Sequence, residues 1–241
     1  GLGDVYKRQE QNPYWIQNRI QSKEARTRLI LSLSANLKVT GWLTLQARGN
    51  MDYSADKLRQ KFYASTATAL CGMNGRYIEM DYQETLMYGD VMAMAKKKLN
   101  DFTLDIAIGG SINDKVVNST RIDSKNASLK FANVFNLANI VMSSSASIDQ
   151  KIDAHYQLQS VFATAQAGYK EGTFLDLTAR NDWSSTLAYT KYEKKGFFYP
   201  SIGVSFLPDK WVKMPEWVSF SKLRGAYSIV GNGVPPFITY P

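Results

Sequence analysis

The chain has very little of the side-chain chemistry on which enzymes and small secreted domains are built. Its 241 residues include one cysteine, Cys71, and one histidine, His155. A single cysteine excludes a disulfide framework and a cysteine-built metal site. A single histidine leaves little room for nucleophilic or acid–base catalysis of the histidine-dependent kind. No run of eighteen apolar residues occurs and mean hydropathy is -0.29, which excludes a bundle of transmembrane helices. The start, Gly1 rather than Met, carries no basic stretch followed by an apolar one, so no signal peptide is legible.

What is present argues for a folded, strand-rich chain. Hydrophobic residues make up 44% and aromatics 12%, too much for disorder. Lys and Arg exceed Asp and Glu by 29 to 21, a surplus of +8 that suits an anionic partner. The first nine residues, Gly1–Gln9, resemble translated read-end sequence rather than gene and are set apart from the fold. The chain stops at Phe237-Ile-Thr-Tyr-Pro241, after a Gly/Pro cluster. Both ends lead us to expect an internal piece of a longer protein, with residues 10–241 forming part of one β domain.

The dominant period is two. From Leu29 to Thr40, Leu29, Leu31, Leu33, Ala35, Leu37 and Val39 alternate with Ile30, Ser32, Ser34, Asn36, Lys38 and Thr40. After Gly41, Leu43, Leu45, Ala47, Gly49, Met51 and Tyr53 alternate with Thr44, Gln46, Arg48, Asn50 and Asp52. The two runs read as a hairpin of long strands. Similar alternation predicts strands at about 27–38, 43–53, 101–112, 115–128, 155–169, 173–182, 197–207 and 219–230.

A soluble sandwich alternates as well. Three features favour a membrane barrel instead. Strands of about ten to twelve residues suit a tilted crossing. Charged side chains, among them Arg48, Asp52, Asp105, Asp176, Arg180 and Arg224, sit inside strands on the polar parity, as a wet lumen permits. Short turns at 39–42, 170–172 and 208–218 contrast with long loops expected at about 54–100, 130–154 and 183–196, the asymmetry of outer-membrane barrels. Trp42, Tyr169, Trp211 and Trp217 then lie at the periplasmic edge, where an aromatic girdle belongs.

Four segments carry a family resemblance. Phe174-Leu-Asp-Leu-Thr-Ala-Arg-Asn-Asp-Trp-Ser-Ser-Thr-Leu187, Phe197-Phe-Tyr-Pro-Ser-Ile-Gly-Val-Ser-Phe206, Lys222-Leu-Arg-Gly-Ala-Tyr-Ser-Ile-Val-Gly-Asn232 and Asn12-Pro-Tyr-Trp15 stand in the order of the SusC/RagA family of TonB-linked outer-membrane transporters, which they resemble. The resemblance covers about Asn12 to Pro241. It implies an all-β antiparallel transmembrane barrel of about 22 strands around an N-terminal plug, of which this chain supplies about eight strands in an open stretch of wall. It also implies uptake of oligosaccharide or peptide oligomers, an extracellular SusD-like lipoprotein partner and energy from the TonB complex. The plug, the TonB box and the C-terminal strands are not expected within this sequence.

Other chemistry is thin. No Gly-x-Ser-x-Gly elbow occurs, Gly231-Asn-Gly233 lacks the spacing of a dinucleotide loop, and calcium-loop spacing is absent. We therefore expect no catalytic residue, no metal site, no cofactor and no enzyme. Tyr14, Trp15 and Trp183 are candidate substrate-stacking residues at the mouth, packing between loops being their other role. Asn181, Asp182, Trp183, Ser184 and Ser185 form a candidate loop-fixing motif, because Asn, Asp and Ser bond their own backbone. Leu86–Lys98 reads as a short loop helix. Lys96, Lys97, Lys98, Lys191, Lys194 and Lys195 are expected on the extracellular side, by default as a solvated rim of flexible lysines, with contact to lipopolysaccharide phosphates as the alternative. The aromatics follow the apolar parity instead of interleaving with these lysines, which disfavours nucleic acid. A passive porin or adhesive surface barrel and a soluble carbohydrate-binding sandwich remain the alternatives to nutrient import.

Overall fold

The computed structural model describes residues 12–125, 129–142, 146–188, 190 and 195–231. Gly1–Gln9, Lys191, Lys194, Asn232 and Gly233 lie outside them. A short helix α1 (Pro13–Arg19) precedes eight strands: β1 (Ile20–Lys38), β2 (Leu43–Phe62), β3 (Arg76–Leu99), β4 (Phe102–Asp123), β5 (Ser147–Tyr169), β6 (Thr173–Ser184), β7 (Phe197–Phe206) and β8 (Leu223–Ser228). The strands form one antiparallel sheet in chain order, with β1 and β8 at its edges. The helix starts because Asn12 caps it, its side-chain oxygen accepting from the Tyr14 amide at 2.9 Å, with Pro13 in the first turn.

Among the described residues eight strands are found, as many as expected, but one of them, β3, was not predicted and another, β4, takes the place of two. The expected strands 101–112 and 115–128 are one strand, β4, as far as its end at Asp123, and the expected helix Leu86–Lys98 lies within β3. The period of β3 is hidden because its two parities are both apolar: Met87, Val91 and Ala93 on one, Met92 and Met94 on the other. The long loop expected at 54–100 shrinks to the connection between Phe62 and Arg76.

This reverses the direction of one stretch. In chain order the short connections are 39–42, 100–101 and 170–172, together with the longer 207–222; the others are 63–75, 124–146 and 185–196. Lys96, Lys97 and Lys98 therefore belong to the short-turn set, contrary to the expectation from sequence. The Lys96 amide donates to the Trp42 carbonyl at 2.8 Å, and the Lys98 ammonium pairs with Glu171 at 3.1 Å.

The described residues fall into two compact units. One comprises 12–29, Asp52–Thr85 and the described part of Val116–Ala154; the other comprises Ile30–Met51, Leu86–Lys115 and the described residues from His155 onward. The first unit holds a small buried core of Tyr77, Leu129 and Ile140, with Ile122, Phe135 and Ala146 against it. Cys71 is also buried there. Gly75 closes the approach to β3 at φ +107, where a Cβ would stand 2.6 Å from the Phe62 carbonyl oxygen, so only glycine fits.

The second unit has the opposite character: its large apolar side chains are on one open face. Leu33 is 79% exposed, Val91 64% and Tyr227 68%. The β5–β8 register aligns Ala165, Leu177, Ile202 and Tyr227 on that face. The other face aligns Gln166, Asp176, Gly203 and Ala226 in one row, and Thr164, Thr178, Ser201 and Ser228 in the next. One apolar and one polar face, with the apolar one uncovered, is the pattern of a barrel wall whose outer side meets lipid.

Candidate functional site

The polar face is held by charge pairs between neighbouring strands. In the second unit Arg48 on β2 presents Nε to both carboxylate oxygens of Asp90 on β3, at 3.1 and 3.0 Å, and the Asp90 side chain is fully covered. The Lys96 ammonium meets Asp105 at 3.1 Å, and Gln166 donates to Asp176 at 2.6 Å. In the first unit Arg28 grips Asp52 and Arg26 grips Asp56, each through Nε and Nη2. Paired guanidinium and carboxylate groups of this kind are specific in geometry.

The long connections of the first unit are tied by asparagines and one acidic hub. Asn133 accepts from the Ala64 amide at 2.7 Å, and Asn74 donates to the Leu129 carbonyl at 2.7 Å, which joins 63–75 to 124–146. Asn139 bonds three backbone groups at once, at Phe131 and Val134. Asp123 receives two bonds from Arg76 at 2.8 Å, one from Arg121 at 2.9 Å and one from the Lys125 amide. Burial opposes ionisation of Asp123. The Arg76 and Lys125 bonds and the charges of Arg76 and Arg121 outweigh it and hold the carboxyl below the usual range. Tyr77 goes the other way: burial, with the Glu79 carboxylate accepting its hydroxyl at 2.8 Å, pushes it up to about 12. Burial also raises the Cys71 thiol, so this sulfur is not an activated nucleophile.

The residues singled out from sequence occupy definite positions. Tyr14 is exposed on α1. Trp15 donates its indole N–H to Thr66 Oγ1 at 2.9 Å, and Arg19 lies between the Trp15 and Tyr63 rings, 6.0 and 5.0 Å from their centroids. Thr66 carries no sequence signal; it is found only because a loop brings it to α1. Trp183 pairs with Gln159, on the same parity as Val161 and Ala163, and therefore stands on the apolar face near the end of β6.

The neighbours of Trp183 bond locally. Asp182 accepts from Arg180 Nε at 2.6 Å, while Arg180 Nη2 donates to Ser160 at 2.9 Å. Ser184 caps the 3₁₀ turn Ser185–Leu187 through the Thr186 amide, and Ser185 accepts from the Gln157 amide at 2.8 Å. Asn181 packs its amide against Gly196, where any Cβ would collide with it. A hollow of about 310 Å³ on the polar face is walled by Arg180, Asp182, Leu187, Phe197 and Tyr199. Among the described residues no three His, Cys, Asp or Glu side chains converge as metal ligands, and no helix is long and apolar enough to cross a membrane.

An antiparallel sheet with one lipid-type face and one charged face defines a segment of transmembrane β-barrel wall. The solved structures to which the chain is similar are of that architecture. It superposes on the RagAB peptide transporter with TM-score 0.71 at 18% identity, covering 90% of this chain and 24% of that one. Two states of the RagAB peptide importer, open-open and closed-closed, match at TM-scores 0.71 and 0.72 with 18% and 19% identity. They cover 90% and 92% of this chain and 23% and 24% of theirs. The chain thus spans about a quarter of the length of the chains it matches. No family model matches it, and no curated protein matches it.

Proposed function

We propose that this chain is part of the wall of an outer-membrane barrel that imports nutrient oligomers. The observation that carries the reading is the uncovered apolar face backed by a polar face of paired charges, on strands that share the fold of the RagAB structures. An uncovered apolar band needs lipid; a charged opposite face needs water or protein. In this reading the connections 39–42, 100–101, 170–172 and 207–222 are periplasmic. The connections 63–75, 124–146 and 185–196 are extracellular, where a SusD-like lipoprotein would dock. A plug and TonB box elsewhere in the protein would couple import to the inner membrane. Peptide oligomers are the favoured cargo over oligosaccharides, because the similar structures are of peptide importers. Asn181, Asp182, Ser184 and Ser185 fix the β6 exit, as their local bonds support.

Growth on a peptide mixture tests this. Cells that depend on the full-length protein should lose growth when the TonB complex is removed. Growth that survives its removal would favour a passive porin or an adhesive barrel.

A further inference from the structure

At the short-turn end of β5 and β6, apolar-face aromatics and lysines form one cluster. Phe102, Tyr169 and Trp211 follow in a row, with ring centroids 4.7 and 5.6 Å apart, and Phe206 stacks on Trp211 at 6.3 Å. The turn is tight: Lys170 and Glu171 both have positive φ, 49° and 54°, and the Gly172 amide bonds the Tyr169 carbonyl at 3.1 Å. This shape sends the Lys170 ammonium back over the rings, 5.4 Å from Tyr169 and 5.8 Å from Trp211. Lys210 closes on the same turn, where a Cβ on Gly172 would stand 2.8 Å from its own Cβ, and Trp211 lies flush on that glycine.

The charges here are unequal in use. Lys96 and Lys98 are spent on Asp105 and Glu171. Lys170 and Lys210 make no ion pair among the described residues. Asp101, whose carbonyl accepts from the Lys170 amide at 2.8 Å, and Asp209 are the nearby carboxylates outside any ion pair among the described residues, and Asp209 Oδ1 has no hydrogen-bond partner there. Lys97, between the paired Lys96 and Lys98, and Lys213, two residues past Trp211, are likewise outside any ion pair among the described residues, which leaves a positive surplus over Asp101 and Asp209. On the same face an apolar groove of about 440 Å³ is walled by Ile106, Ile108, Ala163, Leu177, Ile202 and Tyr227.

We propose that Tyr169, Lys170, Lys210 and Trp211 form a binding site for an anionic glycerophospholipid, its phosphate on the two ammonium groups and an acyl chain in the apolar groove. The proposal rests on the outer-membrane reading, which sets this end at the level of the periplasmic-leaflet headgroups. Charge and shape choose the occupant. Cations held over aromatic faces keep their charge available at the boundary where phosphates lie. A free phosphate would meet the lysines but leave the groove empty; a lipid fills both.

The test uses the full-length protein, stripped of lipid in detergent and titrated with dioleoylphosphatidylglycerol under native mass spectrometry. Replacing both Lys170 and Lys210 by Ala should weaken the tightest lipid at least about tenfold. The Lys170→Arg, Lys210→Arg pair should restore binding, and Lys23→Ala should leave it unchanged. Heat-modified mobility on a gel establishes that each variant is folded. Unchanged lipid binding in the folded double Ala variant would overturn the proposal. Displacement of the lipid by inorganic phosphate at equal concentration would also overturn it, in favour of a free-anion site. The outer-membrane reading is checked separately: Gly41→Cys, in a turn with open space around it, should resist an impermeant thiol reagent in intact cells. Labelling there would sink the orientation whatever the lipid titration shows.

Discussion

Arg48 and Asp90 face each other across β2 and β3, the carboxylate wholly covered and the guanidinium 45% exposed. The pair therefore behaves as a covered anion held by a half-wet cation. Removing the cation strands the anion, which costs more than the intact pair contributes.

Arg48→Ala should destabilise the barrel, and the double variant Arg48→Ala, Asp90→Ala by clearly less. Urea unfolding in detergent, followed by loss of the heat-modified band, measures both. Equal losses in the single and double variants would mean that Asp90 is not held as a charge.

The acidic hub of the first unit sets a pH limit. Asp123 is held below its ordinary value of about 3.9, so the stability it adds is fully present above that pH. It is lost as pH falls through the lower folded value. Hydrogen exchange at the Tyr77 and Ser124 amides, corrected for intrinsic rates, should be constant from about pH 7 to 5 and lose protection in strong acid, well below 3.9. Asp123→Asn should be weaker at neutral pH and lack that transition; a variant that keeps it would place the titrating group elsewhere.

The two faces should respond differently to charge. Leu33→Arg or Ile106→Arg should cost about 2–4 kcal/mol if the site lies near the bilayer midplane, and Ser34→Arg or Thr164→Arg far less. Equal costs would mean that the face assignment fails.

Topology can be mapped with single cysteines in a Cys71→Ser background. Met73, 86% exposed in the connection 63–75, should label from outside intact cells after Met73→Cys, and Gly41→Cys should not. The reverse pattern would invert the proposed orientation.

Trp183 stands on the apolar face, opposite Gln159. Trp183→Ala should therefore lower the amount of heat-resistant barrel and leave substrate affinity per folded molecule unchanged. Normal barrel yield with weakened binding would instead make Trp183 a substrate contact.

Sequence alone determined the fold class and the two faces. A period of two is enforced by covalent geometry, since successive side chains point to opposite sides of any strand. So Leu29–Thr40, Phe162–Tyr169 and Phe198–Phe206 were legible without coordinates. The tight turn at Lys170–Gly172 was readable from local composition as well. Tertiary structure decided what has no local signature. It made Leu86–Lys98 a strand, because an apolar residue on the polar parity costs little when neighbouring strands supply the backbone bonds. It carried the strand at 101–112 on as far as Asp123, since pairing with β3 and β5 takes it past the polar Asn113 and Asp114. That continuity turned the chain round and carried Lys96–Lys98 to the short-turn end. Pairings such as Arg48 with Asp90, Trp15 with Thr66 and Lys170 with Trp211 join residues 41 to 51 positions apart. Register between strands sets such partners, and register is fixed by the whole sheet, not by any one segment of the sequence.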